Sequence, residues 1–523
     1  MYDLLTQKCQ AAGRTGDRAG STSAGWSIMY GLGSIFVGPR SQAFARRGRT
    51  TRTKVKPQSP TLYMRRITLA TIILSLAFLG AGCFGGQEAT VPPVTLQYWR
   101  VDDPPEAVAK VIAGYRQAHP NVKIEVRSFR AEEYENELLE ALAENRGPDI
   151  FSLPNVWLTG WRNKLLPLPE KTYVVSQTVD PAKKKVVVAN VETKSITVRQ
   201  INEDFVEAVP SDIIMLTVPE KKDERPTEAI WGLPFSLDTL ALFYNEDLLR
   251  QADITKPPGT WKEVQDQVKR LTVLNEEGGI EQSGAAIGLA GNVRHAADLM
   301  TAIMIQNGTE MADSRGYVHF QSYTVDTRDR SYPPGIETLM FYQAFARRGM
   351  STFTWDTDQP DSMDAFIAGK TAFYFGFPYD RNQIRERSPR LNFQVASLPQ
   401  VDPTDTKNLA HYNVEVVSKR TAHPNEAWDF IQFAASQDNV KDFLSATGRP
   451  TALRSLISEQ LTDPDATVFT GQVLTAKTWY RGSDWSAVET AFSSMIETYP
   501  TVERPDYQPI IQTAANRIND TIK

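Results

Sequence analysis

The most constraining part of this sequence is residues 231–261. Residues 240–244 are apolar and aromatic and carry no charge, which is typical of a strand buried on both faces of an α/β sheet. Asp238 stands just before this segment. A carboxylate at the mouth of a buried strand either hydrogen-bonds a ligand or forms a local turn, and position alone leaves both open.

A capped helix follows the predicted strand. Thr260 and Glu263 have the spacing of a capping box, and a proline pair at 257–258 marks the turn before them. Apolar residues recur at helical intervals after the cap, at Trp261, Val264, Val268 and Leu271. The stretch therefore predicts a strand, a turn and a helix in succession.

These motifs resemble a known family. Gly232-Leu-Pro, the acidic Asp238, a strand ending in Tyr244-Asn245 and the run Pro-Pro-Gly-Thr-Trp at 257–261 are similar to the family 1 extracellular solute-binding proteins, the capture components of ABC importers. The resemblance implies an α/β, two-lobed periplasmic-binding-protein-like fold. Each lobe would be a sheet flanked by helices, with three crossovers at the hinge.

The charge distribution divides the chain at the end of a basic extension. Residues 1–63 carry ten basic and two acidic side chains and lack sustained periodicity, which predicts a disordered extension or one absent from the mature protein. Residues 83–523 carry 45 basic and 60 acidic side chains, a net charge of −15. A body this acidic is not expected to bind nucleic acid, because phosphate contacts need a basic face.

Residues 64–82 have the layout of a secretory signal. Met64-Arg65-Arg66 is a basic n-region, and residues 67–79 form an apolar stretch of thirteen residues, too short to span a membrane as a helix. The small residues before Cys83 resemble a bacterial lipobox, which implies cleavage before Cys83 and lipidation of its sulfur. Gly80 departs from that pattern, which prefers leucine, and a plain signal peptide containing a cysteine remains the alternative.

Cysteine usage agrees with the lipid interpretation. The chain has two cysteines, Cys9 and Cys83, and Cys9 lies in the part that would be removed. An exported protein with one cysteine forms no internal disulfide. Residues 83–93 then read as a lipid-anchored tether, with the protein exported and held at the outer face of the cytoplasmic membrane.

Folding proper is expected from residue 94. The pattern predicts the order β-α-β-α-β. The strands are expected at 94–99, at 122–126 and from 149. The first helix is indicated by the spacing of Val108, Val111, Ile112 and Tyr115, and the second by Tyr134, Leu138 and Leu142. This order predicts a parallel, doubly wound sheet, whose ligands bind at the carboxyl ends of strands. Residues 170–228 depart from the family, and the valines after Lys183 suggest an inserted β-hairpin before a helix at 201–214.

The rest of the chain predicts a second set of elements. Residues 287–292 read as a strand and loop, 299–305 and 361–368 as helices, and 371–375, 391–399 and 410–418 as strands. Helices are expected at 424–437, from an Asp484 cap onward, and through Tyr507 and Ile518. The resemblance implies lobe one at 94–236 and 397–447, with the insert, and lobe two at 239–396 and 448–523. The chain would cross the hinge three times, the last near 447–450.

Candidate ligand residues come from strand ends and from the resemblance. Strand ends supply Trp99, Arg100, Asp102, Asn155 and Trp157. The resemblance matches Trp157, Phe377 or Tyr379, Trp485 and Asp238 to ligand loops of the family's sugar binders, and Asp380 follows Tyr379 in the matching segment. Further hydrogen-bonding candidates are Asn155, Asn292 and Asn413. A sugar has an apolar ring face that stacks on aromatic side chains and a rim of hydroxyls that carboxylates and amides bind. Each aromatic residue alternatively packs in a core, and Trp485, which heads an amphipathic helix, suits both roles.

Other functions compete with the capture of a small-molecule solute for ABC permease subunits, which the resemblance implies. Gly369-Lys370-Thr371 looks like the tail of a P-loop, but Asp364 occupies the place of the required glycine. No H-E-x-x-H or G-x-S-x-G motif occurs, so neither a metal site, a cofactor nor a catalytic residue is expected, and the protein is expected to be monomeric. The alternatives left open are a lipid-anchored sensor or adhesin, a polyamine binder, and a glycoside hydrolase using carboxylates among Asp102, Asp238 and Asp380.

Overall fold

The structure is a computed structural model that describes residues 91–101, 103–180, 185–217, 225–500 and 506–522. Asp102, Cys83 and the predicted signal segment lie outside the described residues. The strands are β1 (Val94–Val101), β2 (Val122–Phe129), β3 (Ile150–Pro154), β4 (Leu165–Leu166), β5 (Lys171–Asp180), β6 (Lys185–Lys194), β7 (Ile214–Leu216), β8 (Glu228–Ile230), β9 (Ala241–Asn245), β10 (Val273–Leu274), β11 (Ile280–Ala285), β12 (Thr371–Gly376), β13 (Phe393–Ser397), β14 (Asn408–Leu409), β15 (Asn413–Ser418) and β16 (Ala476–Lys477).

The α-helices lie between and after these strands, and several short 3₁₀ turns join them. They are α1 (Ala109–Ala118), α2 (Ala131–Ala143), α3 (Leu158–Trp161), α4 (Val198–Asp204), α5 (Ala208–Ile213), α6 (Glu246–Gln251), α7 (Trp261–Leu271), α8 (Ala296–Gln306), α9 (Pro334–Gln343), α10 (Ser362–Ile367), α11 (Pro378–Arg387), α12 (Pro424–Ala435), α13 (Gln437–Thr447), α14 (Ile457–Gln460), α15 (Thr467–Thr470), α16 (Trp485–Glu497) and α17 (Gln508–Asn519).

Lobe one is organised on a five-stranded sheet with the order β2-β1-β3-β15-β4. The first three strands run parallel, as the β-α-β-α-β pattern predicts. β15 and β4 join antiparallel, so the sheet is mixed. Helices α1, α2, α12 and α13 contribute apolar residues to the core of this lobe, which we call the first core.

Lobe two is organised on a second sheet with the order β10-β11-β12-β9-β13. β9 confirms the strand predicted from its uncharged sequence, because Leu242 packs in one core while Ala241 and Phe243 pack in another, all fully buried. The larger of these two cores, which we call the second core, also receives α7, α8, α9, α16 and α17. Alternate side chains of β9 therefore enter opposite faces of a covered sheet.

The predicted capping box of α7 is confirmed. Glu263 N donates to Thr260 Oγ1 at 3.2 Å, and Thr260 N donates to Glu263 Oε2 at 3.0 Å. These two bonds satisfy donors that have no partner within the first turn of a helix. The helix then buries Trp261, Val264 and Val268 against the second core.

Two predictions of secondary structure were wrong in their boundaries. The strand expected at 287–292 lies earlier, at β11, because β11 pairs with β12 through Ser283 and Ala285. The helix expected at 201–214 is split into α4 and α5. Phe205 forms a bridge with Leu453, and Val206 N donates to Ala452 O at 3.0 Å, so this backbone bonds across the lobe instead of continuing the helix.

The inserted hairpin is present as the pair β5 and β6. It is fastened to α12 through Thr172, whose hydroxyl donates to Asp429 Oδ1 at 3.0 Å, and through Tyr173 N, which donates to Asn425 Oδ1 at 3.2 Å. Asp429 also accepts from the Tyr115 hydroxyl at 3.0 Å. The hairpin therefore attaches to the outer helices of lobe one.

The chain passes between the lobes along segments that bond to one another. Thr239 bridges Ala410, and Leu237 N donates to Pro450 O at 3.0 Å. The third passage is longer than residues 447–450, since Leu453 and Val473 still pack in the first core before Tyr480 enters the second. None of the helices in the described ranges is both long enough and apolar enough to cross a membrane.

Candidate functional site

A buried cluster of charged side chains lies where the first sheet meets the passages between the lobes. Arg100, on β1, donates from Nη2 to Asp103 Oδ2 at 2.9 Å and from Nη1 to Glu415 Oε1 at 3.3 Å. Arg449 donates from Nε to Asp103 Oδ1 at 3.1 Å and from Nη1 to Asp238 Oδ2. Charges persist in an interior only when they are paired and hydrogen-bonded. The cluster therefore holds β1, β15 and two passages together.

The two carboxylate oxygens of Asp238 differ in their hydrogen bonding. Its Oδ2 binds Arg449, whereas its buried Oδ1 has no hydrogen-bond partner among the described residues. Burial raises the pKa of Asp238 to about 6, and the nearby Arg449 opposes this shift. A buried acceptor without a partner costs about 1–3 kcal/mol. A donor on a bound solute would remove that cost, so the geometry suits a ligand-binding carboxylate better than a turn former, and the ligand role stays a prediction.

Three of the predicted aromatic residues lie in one continuous group. The rings of Phe377 and Tyr379 stack with centroids 5.7 Å apart, and the Arg449 guanidinium lies 5.2 Å from the centroid of the Tyr379 ring. On the other side, His411 meets Phe377 at 5.9 Å and Trp485 at 5.7 Å, edge to face. The group thus runs from the start of α16 to the charged cluster.

The three rings differ in their solvent exposure. Phe377 is fully buried and Trp485 is 7 % exposed, so both also serve the second core. Tyr379 is half-buried. Trp485 is positioned by Asp484, whose Oδ1 accepts from Ala487 N at 3.0 Å and caps α16 as the sequence predicts.

Two histidines and two carboxylates form a chain beside these rings. His295 Nε2 lies 3.0 Å from Asp380 Oδ2, and His411 Nδ1 lies 3.2 Å from Asp298 Oδ1. Burial by itself lowers the pKa of His295, but Asp380 and Asp298 outweigh it, so that the pKa is raised. The pKa of His411 is raised in the same way, against burial, by Asp298 and Glu489. Both imidazoles therefore hold a proton to higher pH than free histidine.

The carboxylate of Asp380 is hydrogen-bonded to several groups within the protein. Its Oδ2 accepts from Phe377 N at 2.9 Å and from the Tyr374 hydroxyl at 3.1 Å, besides His295. The first of these bonds caps α11. A direct ligand contact by Asp380 stays a prediction, and its observed bonds fix the loop that carries Phe377 and Tyr379.

Trp157 and Asn155 occupy the loop after β3. Trp157 is half-buried, stacks on Trp161 at 5.7 Å and packs against both cores, so it lies between the lobes. Asn155 Nδ2 donates to Asp212 Oδ2 at 3.0 Å, and its Oδ1 accepts from Tyr412 N at 3.2 Å. The amide of Asn155 therefore holds the loop, while the ring of Trp157 faces the junction of the lobes.

Three predicted residues are not joined to this group by the observed contacts. Trp99 packs on Phe129 at 4.6 Å. Asn292 donates to the carbonyls of Asp356 and Gln359, both at 2.9 Å, so it holds a loop of lobe two. Asn413 is half-buried at the start of β15, opposite Pro154. Their ligand roles stay predictions, as does that of Asp102 outside the described residues.

Sequence reasoning missed several members of the site. Arg449 lies in the predicted third crossing and His411 lies in the strand predicted at 410–418, but neither position signals its partner, since Asp238 is 211 residues from Arg449. His295 lies in a left-handed conformation, with φ of 56°, at the start of α8. A non-glycine residue in that conformation is strained, and such strain gathers at functional sites.

The two lobes meet closely near α3 and the start of α16. A Cβ at Gly160 would overlap the carbonyl oxygen of Ser483, so only glycine fits there without movement. A surface cavity of about 480 Å³ is lined by residues 311–316, Trp479 and Arg481, and it reaches the ring group through Trp479, whose ring meets Trp485. The hinge cluster is the candidate site, because the stacked rings and the unpartnered, buried Asp238 Oδ1 of the described chain are there. Within the described ranges, no three His, Cys, Asp or Glu side chains are grouped to hold a metal ion.

A protein family matches most of this region. The profile of the family "Bacterial extracellular solute-binding protein" matches residues 101–441, more than half of the chain. A putative binding protein of Brucella abortus is 25% identical over 210 residues, 40% of this chain and 47% of that protein. The maltodextrin-binding protein of Bacillus subtilis is 23% identical over 245 residues, 44% of this chain and 52% of that protein. The chain thus spans about half the length of the curated relatives it matches.

Solved structures share the fold. A cyclic α-maltosyl-1,6-maltose binding protein from Arthrobacter globiformis gives a TM-score of 0.61 at 17% identity, covering 82% of this chain and 99% of that one. An ABC transporter solute-binding protein from Thermotoga lettingae, bound with α-D-tagatose, gives a TM-score of 0.59 at 17% identity, covering 82% of this chain and 100% of that one. The predicted two-lobed α/β architecture is confirmed.

Proposed function

This chain belongs to the bacterial extracellular solute-binding proteins. We propose that it captures a sugar, with an oligosaccharide as the preferred solute, between its lobes and delivers it to an ABC-type permease. Lobe one would comprise residues 94–236 and 397–447, and lobe two residues 239–396 and 448–523, except that Val473, on the third passage, still packs in the first core. The solute would contact both lobes, so its binding energy favours the closed arrangement.

The observation that carries this proposal is the line of rings that ends at Asp238. Phe377, Tyr379 and Trp485 supply apolar faces, and Asp238 Oδ1 is a buried acceptor without a partner in the described part of the chain. A pyranose needs both features, because stacking covers its apolar face and carboxylates accept from its hydroxyls. The names of the Bacillus and Arthrobacter relatives, which bind maltodextrin and a cyclic maltosyl-maltose, support a sugar.

The role we propose is binding without catalysis. The family and its solved relatives are binding proteins. Asp238 and Asp380 are both engaged by internal partners, Arg449 and His295 respectively. A hydrolase would need one carboxylate as acid and another as base or nucleophile on either side of a bond. Release of reducing sugar from a bound oligosaccharide by the purified protein would overturn this part of the proposal.

A thermal-shift screen tests the solute class. Sugars of one to several rings, amino acids, polyamines and phosphate are offered at equal concentration, and hits are measured by calorimetry. A solute at 100 times its Kd stabilises the folded state by about 2.7 kcal/mol, so binding appears as a raised melting temperature. We expect oligosaccharides alone to raise it. A response to polyamines without any response to carbohydrate would exclude the sugar.

We further propose that the mature protein begins at a lipidated Cys83 and is anchored at the outer face of the cytoplasmic membrane. The support is the basic n-region, the apolar stretch and the small residues before Cys83. We expect mass spectrometry to find the lipid on Cys83 and no peptide from residues 1–63. Cys83→Ser should move the protein into the soluble fraction, whereas Cys9→Ser, the matched control, should leave it in the membrane fraction. An unmodified Cys83 in membrane-extracted protein contradicts the proposal.

A further inference from the structure

One buried carboxylate outside the ring group collects four donors. Asp212, on α5, is almost fully buried. Its Oδ2 accepts from Asn155 Nδ2 at 3.0 Å and from the Tyr412 hydroxyl at 2.8 Å. Its Oδ1 accepts from Thr478 Oγ1 at 2.7 Å and forms an ion pair with Arg481 Nη2 at 2.6 Å. A carboxylate that receives charge-assisted bonds to both oxygens has its orientation fixed.

These donors come from three distant parts of the chain. Asn155 opens the short turn that ends at Trp157, and Tyr412 lies on the passage between β14 and β15. Thr478 and Arg481 lie between β16 and α16. Neighbours of Asp212 on α5 pack in the first core, so the carboxylate is held on lobe one while it binds the segment that leads into lobe two.

The bonds continue from Arg481 to Trp485. Arg481 Nη1 donates to Tyr480 O at 2.8 Å, and the Tyr480 hydroxyl accepts from Asp484 N at 2.8 Å. The Tyr480 ring meets Trp485 with centroids 5.5 Å apart. On the other branch, Asn155 lies two residues before Trp157. Asp212 is therefore linked through short, specific contacts to both tryptophans.

We propose that Asp212 is a positioning residue for solute binding, which fixes the loops of Trp157 and Trp485 relative to each other. The inference rests on the proposed function for its effect on affinity. The polar partners described for Asp212 are Asn155, Tyr412, Thr478 and Arg481, so it acts on the two rings through these residues. Its removal would break the ion pair with the half-buried Arg481 and release two loop anchors, Asn155 and Thr478, at once.

The first test needs no solute. Hydrogen exchange is measured on the ligand-free parent, Asp212→Asn and the control Asp429→Asn. Asp429 is a matched carboxylate, buried on α12 and accepting from Tyr115 and Thr172. We expect Asp212→Asn to speed exchange in residues 155–161 and 476–485, and Asp429→Asn to speed it only around the hairpin. Unchanged exchange in both loops of Asp212→Asn overturns the proposal.

The second test is a double-mutant cycle with a saccharide that the parent binds. We expect Asp212→Asn to weaken binding about tenfold, within the 5–150-fold range of typical coupling between sites. If Asp212 acts through the ring, the loss should be much smaller in a Trp485→Ala background. Equal losses in both backgrounds would assign Asp212 a general stabilising role and overturn the proposal. If no saccharide binds the parent, the proposed function fails, while the exchange result still decides the role of Asp212.

Discussion

At the scale of single residues, the candidate site combines a polar atom that has no hydrogen-bond partner among the described residues with polar side chains that are hydrogen-bonded within the protein. Asp238 Oδ1 is a buried acceptor without a partner among the described residues, whereas Asn155 and Asn292 use their amides within the protein. The same residue type therefore serves as ligand group or as scaffold depending on its neighbours. Substitutions at the two kinds of position should separate affinity from stability.

Replacing the two tryptophans tests the aromatic contribution. We expect Trp157→Ala and Trp485→Ala each to weaken sugar binding by about 1–3 kcal/mol, the cost of losing a large buried aromatic contact. Calorimetry gives the affinities and circular dichroism confirms folding. Trp428→Leu, in the first core, is the control and should lower the melting temperature without changing affinity. Parent-like affinity in both folded tryptophan variants would remove these rings from the site.

The raised pKa of Asp238 gives a pH dependence of stability. Folded Asp238, with a pKa of about 6 against 3.8 for the unconstrained group, stays protonated while the unfolded state ionises. Its contribution to the free energy of unfolding therefore falls as pH rises from about 4 to 6. We expect the melting temperature of Asp238→Asn, relative to the parent, to increase across that interval. The exposed Asp405→Asn is the control, and a pH-independent difference for Asp238→Asn would contradict the assignment.

What the sequence reveals of the site depends on how local each signal is. Asp238 and Trp157 could be nominated because each stands next to a predicted strand, Asp238 before one and Trp157 after one, a feature written in a few neighbouring residues. Their ligand roles stay predictions. The hydrogen bonds of the Asn292 amide within lobe two could not be predicted, since its acceptors Asp356 and Gln359 lie 64 and 67 residues away. Arg449 likewise acquires its role only when folding brings it to Asp238.

At the scale of elements, strands and caps were predictable where the pattern was unambiguous. β9 has no charge and the α7 cap has two matched side chains, and both were predicted correctly. The strand at 287–292 was wrong because Ile287 and Leu289 are buried in a loop of the second core, where burial without alternation imitates a strand. The split of α4 from α5 depends on a bridge to Leu453 that no local pattern contains.

The cap of α7 provides a test at this scale. We expect Thr260→Ala to lower the free energy of unfolding by about 1 kcal/mol, because the Glu263 amide loses its acceptor at the first turn. Chemical denaturation measures the change. Thr490→Ala, on the exposed surface of α16, is the control and should be close to neutral. A Thr260 variant as stable as the parent would show that the second core alone fixes this helix.

At the scale of the whole molecule, the expected event is closure. A solute that contacts both lobes stabilises the closed form by its difference in affinity for the two arrangements. We expect small-angle scattering of the mature protein to give a smaller radius of gyration with saturating saccharide than without it. Addition of a non-binding saccharide from the same screen is the control. A radius that stays constant at saturation indicates a rigid binder.

The glycine at 160 has a practical consequence for anyone who wishes to use such a protein as a detector. The space between Gly160 and the Ser483 carbonyl excludes a methyl group, although neither residue is among those assigned to the solute. A larger side chain at 160 would act as a wedge between the lobes. Side chains of increasing size at this one position are therefore expected to shift the working concentration range of a sensor in steps, while the residues proposed to contact the solute stay unchanged.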